Sequence, residues 1–78
     1  MEEKFLRILQ DACAFAEEIT GESKINALSI DSLSFVEALV RIEEEFGIEF
    51  DIDEAAELYS STVGEFLRLT KEKANGGL

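Results

Sequence analysis

Apolar residues Phe5, Ile8, Leu9, Ala12, Phe15, Ala16 and Ile19 recur at helical spacing, with Lys4, Arg7, Asp11 and Glu18 opposite them. That pattern predicts an amphipathic helix over residues 3–19, stopped by Gly21. A loop over residues 20–31 comes next, with Ile25, Leu28 and Ile30 available to pin it to a core. Loops of this length in small domains are usually functional. Asp31 is a good N-cap for a second helix that runs to residue 46, where Gly47 ends it. A weaker helical turn covers residues 53–59. Thr62-Val63-Gly64-Glu65 has the form of a capping box, opening a last helix that buries Val63, Phe66, Leu67 and Thr70. Lys71 and Lys73 suit the C-terminal dipole of that helix, and residues 74–78 read as a frayed tail. The expectation is an all-α domain over residues 1–78, with three main helices, one short one and no strands.

The second helix has one apolar ridge more than a surface helix requires. At about 100° per residue, Phe35, Leu39, Ile42 and Phe46 share one face, with Ala38 at its edge, and form the core side. Leu33, Val36 and Val40 cluster nearly opposite, bracketed by Glu37, Glu43 and Glu44. Such a ridge either packs beneath the loop or the short helix, or stands exposed as a docking strip. Periodicity alone does not decide. The start of the ridge beside Ser32, at the helix N-terminus, favours docking.

The chain has 18 acidic and 7 basic residues and no histidine, for a formal net charge of −11. Nucleic-acid binding by counterion release and adhesion to an anionic membrane are both disfavoured at that charge. Basic protein partners are its natural complement. With no histidine and a single cysteine, Cys13, there is no Ser-His or Cys-His pair, no disulfide and no zinc ligand set. No catalytic residue and no metal ligand is therefore assigned. Glu49, Asp51, Asp53 and Glu54 lack the spacing and glycine of a calcium loop, and Cys13 reads as a buried, inert thiol. An apolar fraction of 46% with six phenylalanines argues against disorder, and the phenylalanines serve either core packing or an adaptable interior. No segment has the apolar run of a membrane span, and the Met1-Glu2-Glu3-Lys4 start is not a secretory signal, so a cytoplasmic location is expected.

Ser32 places a hydroxyl where unpaired backbone N–H groups and the helix dipole favour an attached phosphate, although serine is also an ordinary helix-start residue. Leu28-Ser29-Ile30-Asp31-Ser32-Leu33 resembles the attachment motif of the acyl carrier protein family, whose core is Asp-Ser-Leu. Val36-Glu37, the segment Ile42-Glu43-Glu44-Glu45-Phe46-Gly47-Ile48-Glu49 and Thr62-Val63-Gly64-Glu65 are similar to the family's segments downstream of that motif, and the likeness spans essentially the whole chain. The resemblance implies a four-helix bundle whose Ser32 receives 4′-phosphopantetheine covalently from coenzyme A through a magnesium-dependent phosphopantetheinyl transferase. It further implies a freestanding monomeric carrier that presents acyl thioesters to acyl-transfer, condensing and reducing enzymes with basic docking patches, in fatty-acid, polyketide or related biosynthesis. Leu33, Val36, Glu37, Val40, Glu43 and Glu44 fall on the family's partner-contact positions. Asp31 belongs to the motif, either orienting the incoming phosphate or only capping the helix.

Four places depart from the family pattern, one of them the turn after Gly47, where Phe50-Asp51-Ile52-Asp53 lacks the proline often found there. Ser29 stands where glycine is common, Ser34 where an acidic residue is frequent, and Arg41 interrupts the acidic rim. Ser29 removes conformational freedom from the approach to Ser32, which bears on transferase choice. Two other readings compete: an unmodified helical adaptor of the same fold, and an aminoacyl or peptidyl carrier, against which the missing Gly-Gly pair before the motif counts.

Overall fold

A computed structural model describes residues 2–76, and every strong start signal in the sequence is used. Four α-helices occur in order, α1 (Glu2–Ala12), α2 (Ser32–Phe46), α3 (Ile52–Tyr59) and α4 (Val63–Gly76), with a 3-10 turn at Ile25–Ala27 between the first two. No strand is present among the described residues, only an isolated bridge between Lys24 and Thr62. This is the expected all-α arrangement.

Caps account for the boundaries that local chemistry controls. The Asp31 carboxylate accepts from Ser34 N–H at 2.7 Å and opens α2. Gly47, at φ 66° and ψ 39°, closes it in the left-handed conformation that glycine adopts without a Cβ penalty. Thr62 and Glu65 satisfy each other's backbone at the start of α4, both at 3.2 Å. Asp51 and Glu54 do the same for α3, which begins one residue earlier than the sequence pattern predicts. Helix α4 continues through Asn75 and Gly76, part of the expected tail, while Gly77 and Leu78 lie outside the described residues.

The first helix is the clearest correction. It stops at Ala12, not at residue 19, because the next amides bond elsewhere. Cys13 N–H closes a tight turn on Gln10 O at 3.1 Å, and Ala14 N–H donates to Ser29 O at 2.7 Å instead of continuing the helical ladder. Residues 13–31 therefore form one long connection. Phe15 and Ala16, expected on the core face, are exposed, and Ile19 is half-buried.

The core is aromatic at its centre. Phe66 is fully buried and meets Phe5 edge-on at 5.0 Å between ring centroids, Phe50 at 5.7 Å and Phe35 at 5.9 Å. Tyr59 extends the cluster through Phe35 at 5.2 Å. Pairs of this kind contribute about 0.5–1.5 kcal/mol each beyond area burial. Ordinary core packing thus absorbs most of the phenylalanines. Ile8, Leu9, Ala38, Leu39, Ile42 and Val63 complete the interior, as the helical patterns require, whereas Phe46 and Leu67 reach only half-burial. Thr70, buried on α4, satisfies its hydroxyl on Phe66 O at 2.8 Å.

The long connection is anchored at its middle. Ile25 and Ile30 are buried as expected, and Leu28 is half-buried. Backbone bonds from Ile25 N–H to Ser61 O, Val63 N–H to Ser23 O and Gly64 N–H to Gly21 O fasten residues 21–25 to the junction of α3 and α4 at 2.8–2.9 Å. Fixing this stretch leaves residues 29–31 as the approach to α2.

Candidate functional site

Ser32 is the first residue of α2 and lies exposed at its N-terminus, directly after the cap. Among the described residues no hydrogen bond occupies its hydroxyl. The chain holds no histidine to serve as a base, so Ser32 is available to an outside catalyst but is not activated by this protein. The first-turn N–H groups and the dipole of a fifteen-residue helix make its surroundings favourable for a phosphate ester. Asp31 does act as the N-cap, and the bond from Ser34 N–H holds its carboxyl below the usual carboxylate range.

Each residue leading into Ser32 is held by a different element. Ser29 donates both its N–H, at 2.8 Å, and its hydroxyl to Glu17 Oε2. Its Oγ also accepts from Phe15 N–H at 3.2 Å. Ile30 is buried, and its carbonyl accepts from the Tyr59 hydroxyl at 3.3 Å. Asp31 is tied into α2. The polar bonds around Ser29 hold Glu17 below the usual carboxylate range.

Below Ser32 runs the second ridge. Leu33, Val36 and Val40 are 70%, 51% and 44% exposed, so neither the loop nor α3 covers them. Glu37 and Glu44 are exposed along one flank. Glu43 lies on the other, half-buried, with Oε2 accepting from Phe50 N–H at 2.8 Å, which makes it a brace for the turn after α2 as well as part of the rim. Arg41 does not break into the strip: it turns toward α1 and meets Asp11 at 3.5 Å. An exposed pair of that length contributes little to stability.

Two further apolar residues stand exposed that the sequence pattern does not place on the surface. Ile52 is 87% exposed in the first turn of α3, and Phe15 is 73% exposed in the long connection. A signal for Ile52 exists in the Asp51-Ile52-Asp53-Glu54 capping box, which fixes it at a helix start outside the core. Two of the four carboxylates considered for calcium serve structure: Asp51 and Glu54 cap α3, and Glu54 also pairs with Lys73 at 3.0 Å. Among the described residues no cluster of ligating side chains is assembled. Cys13 is half-buried, not buried, and its thiol donates to Leu9 O at 3.4 Å. Burial first, and then the Glu17 charge, push its pKa up, so it is held as the unreactive thiol.

The family described as "Phosphopantetheine attachment site" matches residues 3–69. An acyl carrier protein of Nitratidesulfovibrio vulgaris (strain DSM 19637 / Miyazaki F) is 40% identical over 60 residues, covering 74% of this chain and 79% of that protein. Acyl carrier protein 2, chloroplastic, of Arabidopsis thaliana is 42% identical over 57 residues, covering 73% of this chain and 40% of that protein. No solved structure matches the chain.

Proposed function

Because the chain belongs to the phosphopantetheine-attachment family of acyl carrier proteins, which bear a covalent 4′-phosphopantetheine and are not catalysts, we propose that Ser32 is its attachment residue. The observation that carries this reading is the exposed hydroxyl of Ser32 at the start of α2, at the head of an uncovered apolar strip. In the transfer, Ser32 Oγ forms a bond to the phosphorus nearer the pantetheine of coenzyme A. The pyrophosphate link breaks, adenosine 3′,5′-bisphosphate leaves, and the hydroxyl proton passes to the transferase. The α2 N-terminus favours the resulting phosphodiester. This chain supplies presentation, not proton transfer.

The terminal thiol of the arm then carries acyl groups as thioesters, in fatty-acid, polyketide or related biosynthesis. Leu33, Val36 and Val40 form the apolar contact for partner enzymes, and Glu37, Glu43 and Glu44 guide basic patches onto it. Apolar burial holds such a complex, while the charges raise the encounter rate. The whole chain acts as one carrier domain, monomeric and cytoplasmic. No described helix is long and apolar enough to cross a membrane.

Intact mass after incubation with coenzyme A and a broad-specificity transferase tests this reading. The chain gains one phosphopantetheine, and Ser32→Ala abolishes the gain. An unchanged mass across several transferases would sink the attachment reading and leave an unmodified adaptor.

A further inference from the structure

The approach to Ser32 contains a bonding arrangement that attachment itself does not require. Ser29 is engaged through all of its polar groups: N–H and hydroxyl on Glu17 Oε2, Oγ under Phe15 N–H, and carbonyl under Ala14 N–H at 2.7 Å. All three of these partners lie in the stretch where the apolar pattern would have continued α1. Diverting Ala14 and Phe15 to Ser29 ends that helix at Ala12 and leaves the Phe15 ring 73% exposed. The first helix gives up its next turn, and an exposed aromatic ring results. In return the segment before the modified residue is pinned at three successive positions, with Ser29 on residues 14–17, Ile30 on Tyr59 and Asp31 on the first turn of α2.

We infer that Glu17 and Ser29 are positioning residues for the modification of Ser32, their clasp fixing the segment 29–31 in the conformation that the transferase recognises. The inference rests on the assignment of Ser32 as the attachment residue. Neither side chain touches the reacting atoms. Both act through the backbone that leads into the α2 cap. A transferase must accept Asp31 and Ser32 in one orientation relative to the strip that begins at Leu33. If the clasp is lost, the fraction of molecules presenting that orientation falls, and apparent affinity falls with it. Chemistry in the docked complex is unchanged.

The experiment is steady-state transfer of phosphopantetheine from coenzyme A, with the full chain as the varied substrate and product followed by intact mass. Glu17→Ala and Ser29→Ala are expected to raise KM about tenfold while kcat stays within about twofold, as for a competent population reduced to about a tenth. The double variant loses less than the sum of the two single losses, because the bond from the Ser29 hydroxyl to Glu17 is removed by either substitution. Glu17→Gln keeps an oxygen that accepts from both Ser29 donors, and its KM stays within about twofold of the original. Amide exchange at Ala14, Phe15 and Ser29 speeds up in the alanine variants, while exchange in the α2 and α4 cores does not change. A KM unmoved in both alanine variants, additive losses in the double variant, or a Glu17→Gln variant as impaired as Glu17→Ala overturns the proposal. If the unaltered chain is modified at Ser32 and the alanine variants are modified equally well, the clasp reading alone fails. If the unaltered chain accepts no phosphopantetheine, the attachment reading fails.

Discussion

Gly64 donates its N–H to Gly21 O at 2.9 Å, and a Cβ built on Gly64 would lie 2.9 Å from that same oxygen. The first turn of α4 can approach the long connection only because residue 64 has no side chain. The obstacle is backbone held by the bonds that follow along the same pairing, from Val63 to Ser23 and from Ile25 to Ser61.

Gly64→Ala therefore sets two effects against each other. Alanine gains about 1 kcal/mol of helix propensity over glycine, and the contact with Gly21 O costs about 1–3 kcal/mol through displacement of the connection. The contact wins, and thermal denaturation is expected to show a net loss. Gly76→Ala, near the end of the same helix with nothing within 4 Å, is the control and should be neutral or mildly stabilising. A Gly64→Ala protein as stable as the original would mean that residues 21–25 shift without cost.

The two ridges of α2 should separate under mutation. Phe35→Ala removes a ring that is 4% exposed and in contact with Phe66 and Tyr59, and costs about 3–5 kcal/mol of stability. Val36→Ala, at its neighbour, barely moves the melting temperature. It weakens partner binding by about 1–2 kcal/mol, the scale of a lost apolar contact. Calorimetry on the free proteins and titration against a partner enzyme read the two effects separately. A large melting shift for Val36→Ala would make the ridge part of the core.

Acid acts on this protein in two opposite ways. Asp31, Glu17 and Glu54 are held below their ordinary values by hydrogen bonds to backbone and side-chain donors, with Lys73 also acting on Glu54. A carboxylate depressed on folding stabilises the native state above its unfolded pKa, near 4, and that contribution disappears as pH falls through the lower folded value. Self-repulsion from a net charge of −11 works the other way, since it relaxes as pH falls toward the sequence pI of about 4.2. The melting temperature should rise as pH is lowered from 7 toward 5 and drop below about 4. Added magnesium or monovalent salt at pH 7 should reproduce the rise. A melting temperature that only falls with acid would show that repulsion is minor.

Most of what rests on neighbours within one turn was legible in the sequence, the Asp51–Glu54 box of α3 excepted. Asp31 announces α2, Gly47 ends it, and Thr62 with Glu65 opens α4, because those caps bond three or four residues away. The second apolar ridge of α2 was legible too, whereas its exposure was not, since periodicity describes a covered and an uncovered ridge alike. The end of α1 was not. Phe15, Ala16 and Ile19 keep helical spacing, and the residue that overrides it is Ser29, fourteen positions from Phe15 along the chain. Glu17, to all appearance one solvated charge among many, owes its role to the same distant partner. Among the carboxylates, Glu43, which braces the backbone at Phe50, is indistinguishable in sequence from those that only face water.

The placement of α2 as a wall with one inward and one outward face has a consequence for how such a protein can change. Ala38, Leu39 and Ile42 answer to the interior, while Leu33, Val36 and Val40 stand outside it. Substitutions on the outward face can accumulate or be engineered without passing through unfolded intermediates. The surface this helix presents is free to drift while the scaffold stays put.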